Sequence, residues 1–308
     1  MYMQNRIAWI SSLRGLCVFL VFFSHLSLPI NDSILFVLGR MGVVGFFLIS
    51  GFLSVASLEK KSNKQYLFNR LVRIYPIYWL FLLITYVMSA NVGVEELLWN
   101  FTAFEEYVGY EAMIGSSWML SIMLCFFCLL LLVRLGKFSI QHIFYVVCVF
   151  CVITGIIRYI SGIPVPTAFF LLICVGIIGY MDKYKDNLKN IILFNVVLCV
   201  SSILSYGNAF FWYIIAYNLG FIVYFLSKKY ALNISIFNNI GKIGFSFFLC
   251  SWIPMGIILY IFPNMKNLNY IYFALIQFAS TWIFSYFVTR YFENPLLKCA
   301  KKVERNIK

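Results

Sequence analysis

Arg14 and His25 are the two side chains whose type and setting point most directly to chemistry. Both fall within Ile7 to Leu28, a stretch long and apolar enough to cross a bilayer. A charged or titratable group inside such a helix is costly and by default marks a functional site. Eleven positions separate them, about 1100° of helix or three turns to within roughly 20°, so they share one face. A rise of about 1.5 Å per residue sets the guanidinium and the imidazole roughly 16 Å apart along the axis. An imidazole, with an unperturbed pKa of about 6.5, can take a proton from a weak nucleophile, and a permanent cation can stabilise developing negative charge. Spacing alone leaves a second reading open, in which Arg14 snorkels to one interface and His25 is an interfacial imidazole at the other.

Further candidates lie downstream. Arg70 and Arg73 are three apart and share a face if that segment is helical, and guanidinium groups bind phosphate oxygens bidentately. Simple topology signalling is the alternative for the pair. Ser50-Gly51 either contacts substrate or lets two membrane helices approach closely. Trp118 could stack on a ring or belong to an interfacial belt. Nine cysteines are scattered, most within apolar spans and without metal-ligand spacing to histidine, and read as small buried hydrophobes; Cys125-x-x-Cys128 sits mid-helix, a poor setting for redox or zinc chemistry. No metal is expected.

The elements that must position these residues follow from composition. The chain has 308 residues, 63% hydrophobic, 20% aromatic and 11% charged, with a mean hydropathy of +0.90. Those values exclude an ordinary soluble domain and specify an all-α polytopic membrane protein. After Ile7 to Leu28, apolar spans read at about Ile34 to Ser57, Ile74 to Ala90, Ala112 to Val133, Ile140 to Ile160, Pro164 to Met181, Ile191 to Tyr206, Ala209 to Ser227, Asn239 to Phe262 and Leu268 to Arg290. That makes about ten transmembrane helices. The first is too long for a signal-peptide core and lacks a small-residue cleavage site, so it is expected to be retained.

Alternating the sides collects nearly all lysine and arginine on one of them, including Lys60, Lys61, Lys64, Arg70, Arg73, Arg134, Lys183, Lys185, Lys228 and the tail from Lys298 to Lys308. The positive-inside rule then places both termini in the cytoplasm, and most of the net +13 is topology rather than a nucleic-acid signal. The longest connection, Asn91 to Glu111, carries five glutamates and no basic residue and faces outside.

Several of these segments resemble one family. Leu13-Arg14-Gly15 with His25 is similar to the opening signature of the bacterial membrane-bound acyltransferase family 3, O-acyltransferases of surface glycans. Gly45-Phe46-Phe47-Leu48-Ile49-Ser50-Gly51-Phe52-Leu53 resembles its second-helix motif. Arg70 and Arg73 running into Ile74-Tyr75-Pro76 with Tyr78-Trp79 resemble its basic motif, Trp118-Met119-Leu120-Ser121 its Trp-Ser-Leu signature, and Phe292-Glu293-Asn294-Pro295 a common tail. The resemblance implies one ten-helix acyltransferase domain over 1–292 and a short basic cytoplasmic tail over 293–308. It implies transfer of an acyl group, usually acetyl from acetyl-CoA, to a sugar hydroxyl of a surface polysaccharide or its lipid-linked precursor, in the bacterial inner membrane. By the same resemblance His25 is the catalytic histidine, Arg14 its partner, and Arg70 and Arg73 handle the CoA donor, which is a substrate and not a resident cofactor. Partners would be the acyl-CoA, the glycan acceptor and membrane lipid.

Three positions depart from the pattern. Ser12 stands where the family often has Asp, Met123 where its Trp-Ser-Leu motif commonly ends in Glu, and Ser251-Trp252 where many members carry a late histidine. The other histidine, His142, reads as a surface residue beside a cytoplasmic loop. A lipid-linked-sugar or small-solute carrier is the competing class; the absence of an inverted repeat and the concentration of intramembrane charge in the first helix count against it. A catalytically inactive relative stays open because of the missing carboxylates.

Overall fold

A computed structural model describes residues 2–26, 29–89, 92–162, 168–181 and 187–307. The chain is 86% helical, with no strand among the described residues. In order the helices are α1 (Tyr2–Ser24), α2 (Asp32–Leu58), α3 (Asn63–Met88), α4 (Val94–Thr102), α5 (Ser117–Leu135), α6 (Ile140–Ser161), α7 (Phe169–Tyr180), α8 (Asn187–Tyr206) and α9 (Phe210–Lys229). They are followed by α10 (Ser235–Lys242), α11 (Gly244–Cys250), α12 (Ile253–Ile261), α13 (Tyr270–Val288) and α14 (Asn294–Asn306). Six helical stretches among the described residues are long and apolar enough to cross a membrane, and a seventh is formed if the bent pair α11–α12 counts as one. The protein is a multi-pass membrane protein. On α6 the residues Val146, Val149, Ile153 and Ile157 form an exposed apolar stripe, as a lipid-facing surface requires.

The centre of the bundle is α2, which packs on α1, α7 and α9. Two pairs of glycines set the closest crossings. A Cβ on Gly51 of α2 would overlap the carbonyl of Ile173 on α7, and one on Gly176 would overlap that of Leu48; Gly15 of α1 and Gly241 of α10 stand in the same reciprocal relation to Phe237 and Ser11. Gly51 and Gly15 are therefore packing residues, and their neighbours Ser50 and Arg14 are held where the backbones touch. Ser12 anchors the same crossing by accepting a 3.0 Å hydrogen bond from the Ile234 amide.

Several elements differ from the sequence expectation. The polar segment before Ile74 is helical, because a capping box between Ser62 and Gln65 starts α3 at Asn63. The span expected from Asn239 to Phe262 is instead α11 and α12, bent by 47° at Ser251-Trp252. The division expected at Gly207 is present: the chain folds back there, since Asn195 of α8 donates to Asn218 of α9 at 2.8 Å, whereas a continuous helix would separate them by roughly 35 Å. The basic segment after Glu293 is the helix α14, tied to the start of α3 by Lys61–Glu304 at 2.8 Å. Cys125 and Cys128 are exposed rather than buried, as is Cys299. The span ends placed at Leu28, Ala90 and Pro164, with Lys183 and Lys185, lie outside the described residues.

The connection before α5 is folded rather than open. Tyr75, Tyr78 and Trp79 of α3 donate to the carbonyls of Thr102 (3.0 Å), Asn100 (2.7 Å) and Phe101 (2.9 Å). The fully buried Asn100 donates to the Glu111 carbonyl at 3.1 Å and accepts from the Met113 amide at 2.9 Å. The aromatic run after Arg73 thus clasps the segment that leads into Trp118.

Candidate active site

Two cavities lie in series inside the bundle. The larger, about 470 Å³, is lined by His25, Trp118, Ser116, Gln277, Ser251 and Trp252 among others. Its size falls in the range of small-molecule sites. The smaller, about 110 Å³, is lined by Arg14, Ser50, Arg70, Arg73 and Met123. Met119 and Phe248 belong to both walls.

His25 follows the last turn of α1, its amide bonded to the Phe22 carbonyl at 3.1 Å. The side chain is exposed and opens into the larger cavity. No described residue hydrogen-bonds its imidazole. Arg40 of α2 is the cation in electrostatic range of it, held among the rings of Phe36 (5.4 Å), Trp118 (6.0 Å) and Tyr213 (5.2 Å). Trp118 also packs on Phe169 at 5.1 Å. It is therefore a wall residue with partners on both sides.

Arg14 faces the smaller cavity, in electrostatic range of Arg73 and of Glu293. Glu293 is buried and accepts from Ser246 at 2.8 Å and Thr289 at 3.3 Å. Arg70 is braced: its Nη2 donates to the Leu53 carbonyl at 3.1 Å and to Ser54 at 3.4 Å, over the rings of Tyr66 and Phe127 at 5.1 and 4.5 Å. Its Nε has no partner. Arg73 is exposed. Three guanidinium groups facing so small a space repel one another, and an anion there would relieve the repulsion.

The structure thus divides the six residues singled out by sequence: Arg14, Arg70, Arg73 and Ser50 share one cavity, and His25 and Trp118 share the other. Met123, at the position where a carboxylate was expected, lines the smaller cavity and receives the Ser50 hydroxyl at 3.2 Å. His142 is exposed and bonds Ser139 at the start of α6.

A comparison against family profiles matches residues 7–290 to the acyltransferase domain of this type. The chain belongs to the membrane acyltransferase family 3. Neither the curated proteins nor the solved structures yield a match. Membership of family 3 makes the protein an acyltransferase by family.

Sequence reasoning missed Gln277, Ser116 and Arg40 and met Glu293 only as part of a tail motif. A signal was present. Gln277, Thr281, Ser285, Thr289 and Glu293 recur every fourth residue through the last apolar stretch, and all five are buried.

Proposed function

We propose that the protein is a membrane O-acyltransferase that moves an acetyl group from acetyl-CoA to a sugar hydroxyl of a bacterial surface polysaccharide or its lipid-linked precursor. The observation that carries this reading is the pair of adjoining cavities, one lined by three guanidinium groups and the other by the His25 imidazole, with Met119 and Phe248 common to both walls. In this reading about ten helices cross the bacterial inner membrane with both termini cytoplasmic, so Arg70 and Arg73 face the compartment that supplies acyl-CoA.

The CoA phosphates bind at Arg73 and at the open edge of Arg70, which suits phosphate through fixed N–H geometry. The pantetheine arm runs past Arg14 and between Met119 and Phe248, bringing the thioester to the His25 cavity. His25 accepts the proton of the acceptor hydroxyl as that oxygen bonds to the thioester carbonyl carbon. The carbon–sulfur bond then breaks, and the thiolate takes the proton from the imidazolium to leave as CoA. Arg14 orients the arm or stabilises negative charge that develops on the carbonyl oxygen.

The experiment is the acetyl content of the producing cell's surface polysaccharide, measured by NMR in wild type, in a gene deletion and in His25→Ala at matched membrane abundance. Loss of acetyl signals in the deletion and in His25→Ala supports the reading. An unchanged deletion strain refutes it for that glycan, and acetylation that survives in His25→Ala refutes the assigned base. Substrate flux without acyl-CoA would instead indicate a carrier.

A further inference from the structure

The polar stripe on the last long helix has one member whose side-chain oxygen has no hydrogen-bond partner among the described residues. Thr281 donates to the Ser251 carbonyl at 3.1 Å, where the bend between α11 and α12 frees a backbone group. Ser285 meets Cys250 at 3.1 Å and donates to its own helix at Thr281. Thr289 and Glu293 bond each other, and Glu293 also receives Ser246. These four stitch α13 and its π-helical extension, Thr289–Glu293, to the broken helix beside it. Gln277 continues the same row one turn beyond Thr281, is 1% exposed, and its Oε1 has no hydrogen-bond partner. It lines the His25 cavity.

A buried amide oxygen without a partner costs free energy, and native structures keep such groups for a reason. Ser116, on another element lining the same cavity, repeats the anomaly: its Oγ is buried and also unpartnered. The surroundings of both are mainly apolar and aromatic, with Trp118, Trp252, Phe247 and Phe248 among the walls. Two polar atoms without partners among the described residues, the His25 imidazole and flat aromatic surfaces match a ring that carries hydroxyls on its edge and C–H groups on its face.

We propose that Gln277 and Ser116 form the acceptor subsite, holding the hydroxyls that flank the one acylated at His25. The Gln277 amide turns about its last torsion to offer a carbonyl or an NH₂, so it can accept from one sugar hydroxyl and donate to the next. Ser116 supplies one further donor and acceptor. The occupant is a hydroxylated ring of pyranose type. This rests on the acyltransferase reading and adds the residues that select its acceptor. The amide positions the sugar and takes no part in proton transfer.

The test uses the full-length protein in lipid nanodiscs, radiolabelled acetyl-CoA, and surface polysaccharide from the gene-deleted producing cell, chemically freed of acetyl groups. Gln277→Leu keeps the volume and removes the amide, and Ser116→Ala removes one oxygen. For Gln277→Leu the acceptor KM is expected to rise about tenfold or more while the acetyl-CoA KM stays within about twofold. The melting temperature of the empty protein is expected to hold or rise, because an unpaired buried group is gone; a purely structural Gln277 would lower it. If wild type transfers acetyl and both variants keep its acceptor KM, the subsite is wrong while the acyltransferase reading stands. If wild type transfers nothing to this glycan, that reading fails and the subsite with it. Should Gln277→Leu not accumulate, Ser116→Ala decides by the same acceptor KM.

Discussion

Arg14 in α1 and His25 just past the end of that helix open into different cavities, the guanidinium in one lined also by Arg70 and Arg73, the imidazole in one lined also by Trp118 and Gln277. The eleven-residue spacing therefore spans a partition. A reaction that used both residues would send part of a substrate past Met119 and Phe248, which line both cavities. That requirement suits a long, thin donor anchored by phosphates at one end, and it makes the partition a determinant of what can pass.

Met119 is the more testable half of the partition, being buried and common to both cavities. Met119→Ala is expected to merge them and raise turnover of butyryl-CoA relative to acetyl-CoA by about tenfold, the scale on which apolar pockets discriminate by a methylene or two. Met119→Trp is expected to block transfer while leaving acetyl-CoA binding in place. The comparison is the ratio of kcat/KM for the two donors, which does not depend on how much folded protein is present. An unchanged ratio in Met119→Ala would mean that the acyl chain does not pass this point.

The two basic residues of α3 should behave differently despite their similar sequence setting. Arg70 is tied to Leu53 and Ser54 and covered by two rings, so Arg70→Ala is expected to lower stability by about 1–3 kcal/mol. Arg73 is exposed, and Arg73→Ala is expected to leave thermal unfolding unchanged while raising the acyl-CoA KM about tenfold, an effect that salt reproduces in the wild type. Unfolding curves and donor titrations on the same two variants check both statements. A donor KM unmoved in Arg73→Ala would remove Arg73 from the donor site.

What could be read in the sequence divides by the size of the physical signal. Arg14 and His25 stood out because charge in an apolar stretch is rare and costly, and Arg70 and Arg73 because two guanidinium groups three residues apart share a helix face. The bend at Ser251-Trp252 and the row from Gln277 to Glu293 did not, because one neutral polar residue per turn hardly changes the mean hydropathy of a window. The long α3 was underestimated at its start, since its capping box and first three turns are polar and lie outside any apolar window. The amphipathic α10 was divided at Asn239, its first half read as connection and its second as the start of the next span, although the Gly15–Gly241 crossing it makes with α1 fixes where Arg14 can sit. The two-cavity division depends on long-range packing between α1, α5 and α11, for which no local pattern exists.

Glu105 gives a pH-dependent prediction in the folded connection that leads into α5. It lies in a short 3₁₀ turn, Glu105–Val108, 1% exposed. One carboxyl oxygen receives the Ser117 hydroxyl, and the other has no partner. Burial pushes this carboxyl above the usual carboxylate range, with the Ser117 hydroxyl opposing the shift. A carboxyl raised on folding favours the fold in full below its unfolded pKa of about 4.3 and loses that contribution as pH rises through the folded value. Glu105→Gln keeps the shape and the Ser117 contact and does not ionise. Its melting temperature is therefore expected to exceed that of the wild type near about pH 8 and to converge with it near about pH 4. Because this turn precedes Ser116 and Trp118, loosening it at high pH is also expected to raise amide exchange in the 113–116 segment of the wild type and less in Glu105→Gln. A melting difference independent of pH, or one that widens as pH falls, would show that Glu105 ionises without cost in the folded protein.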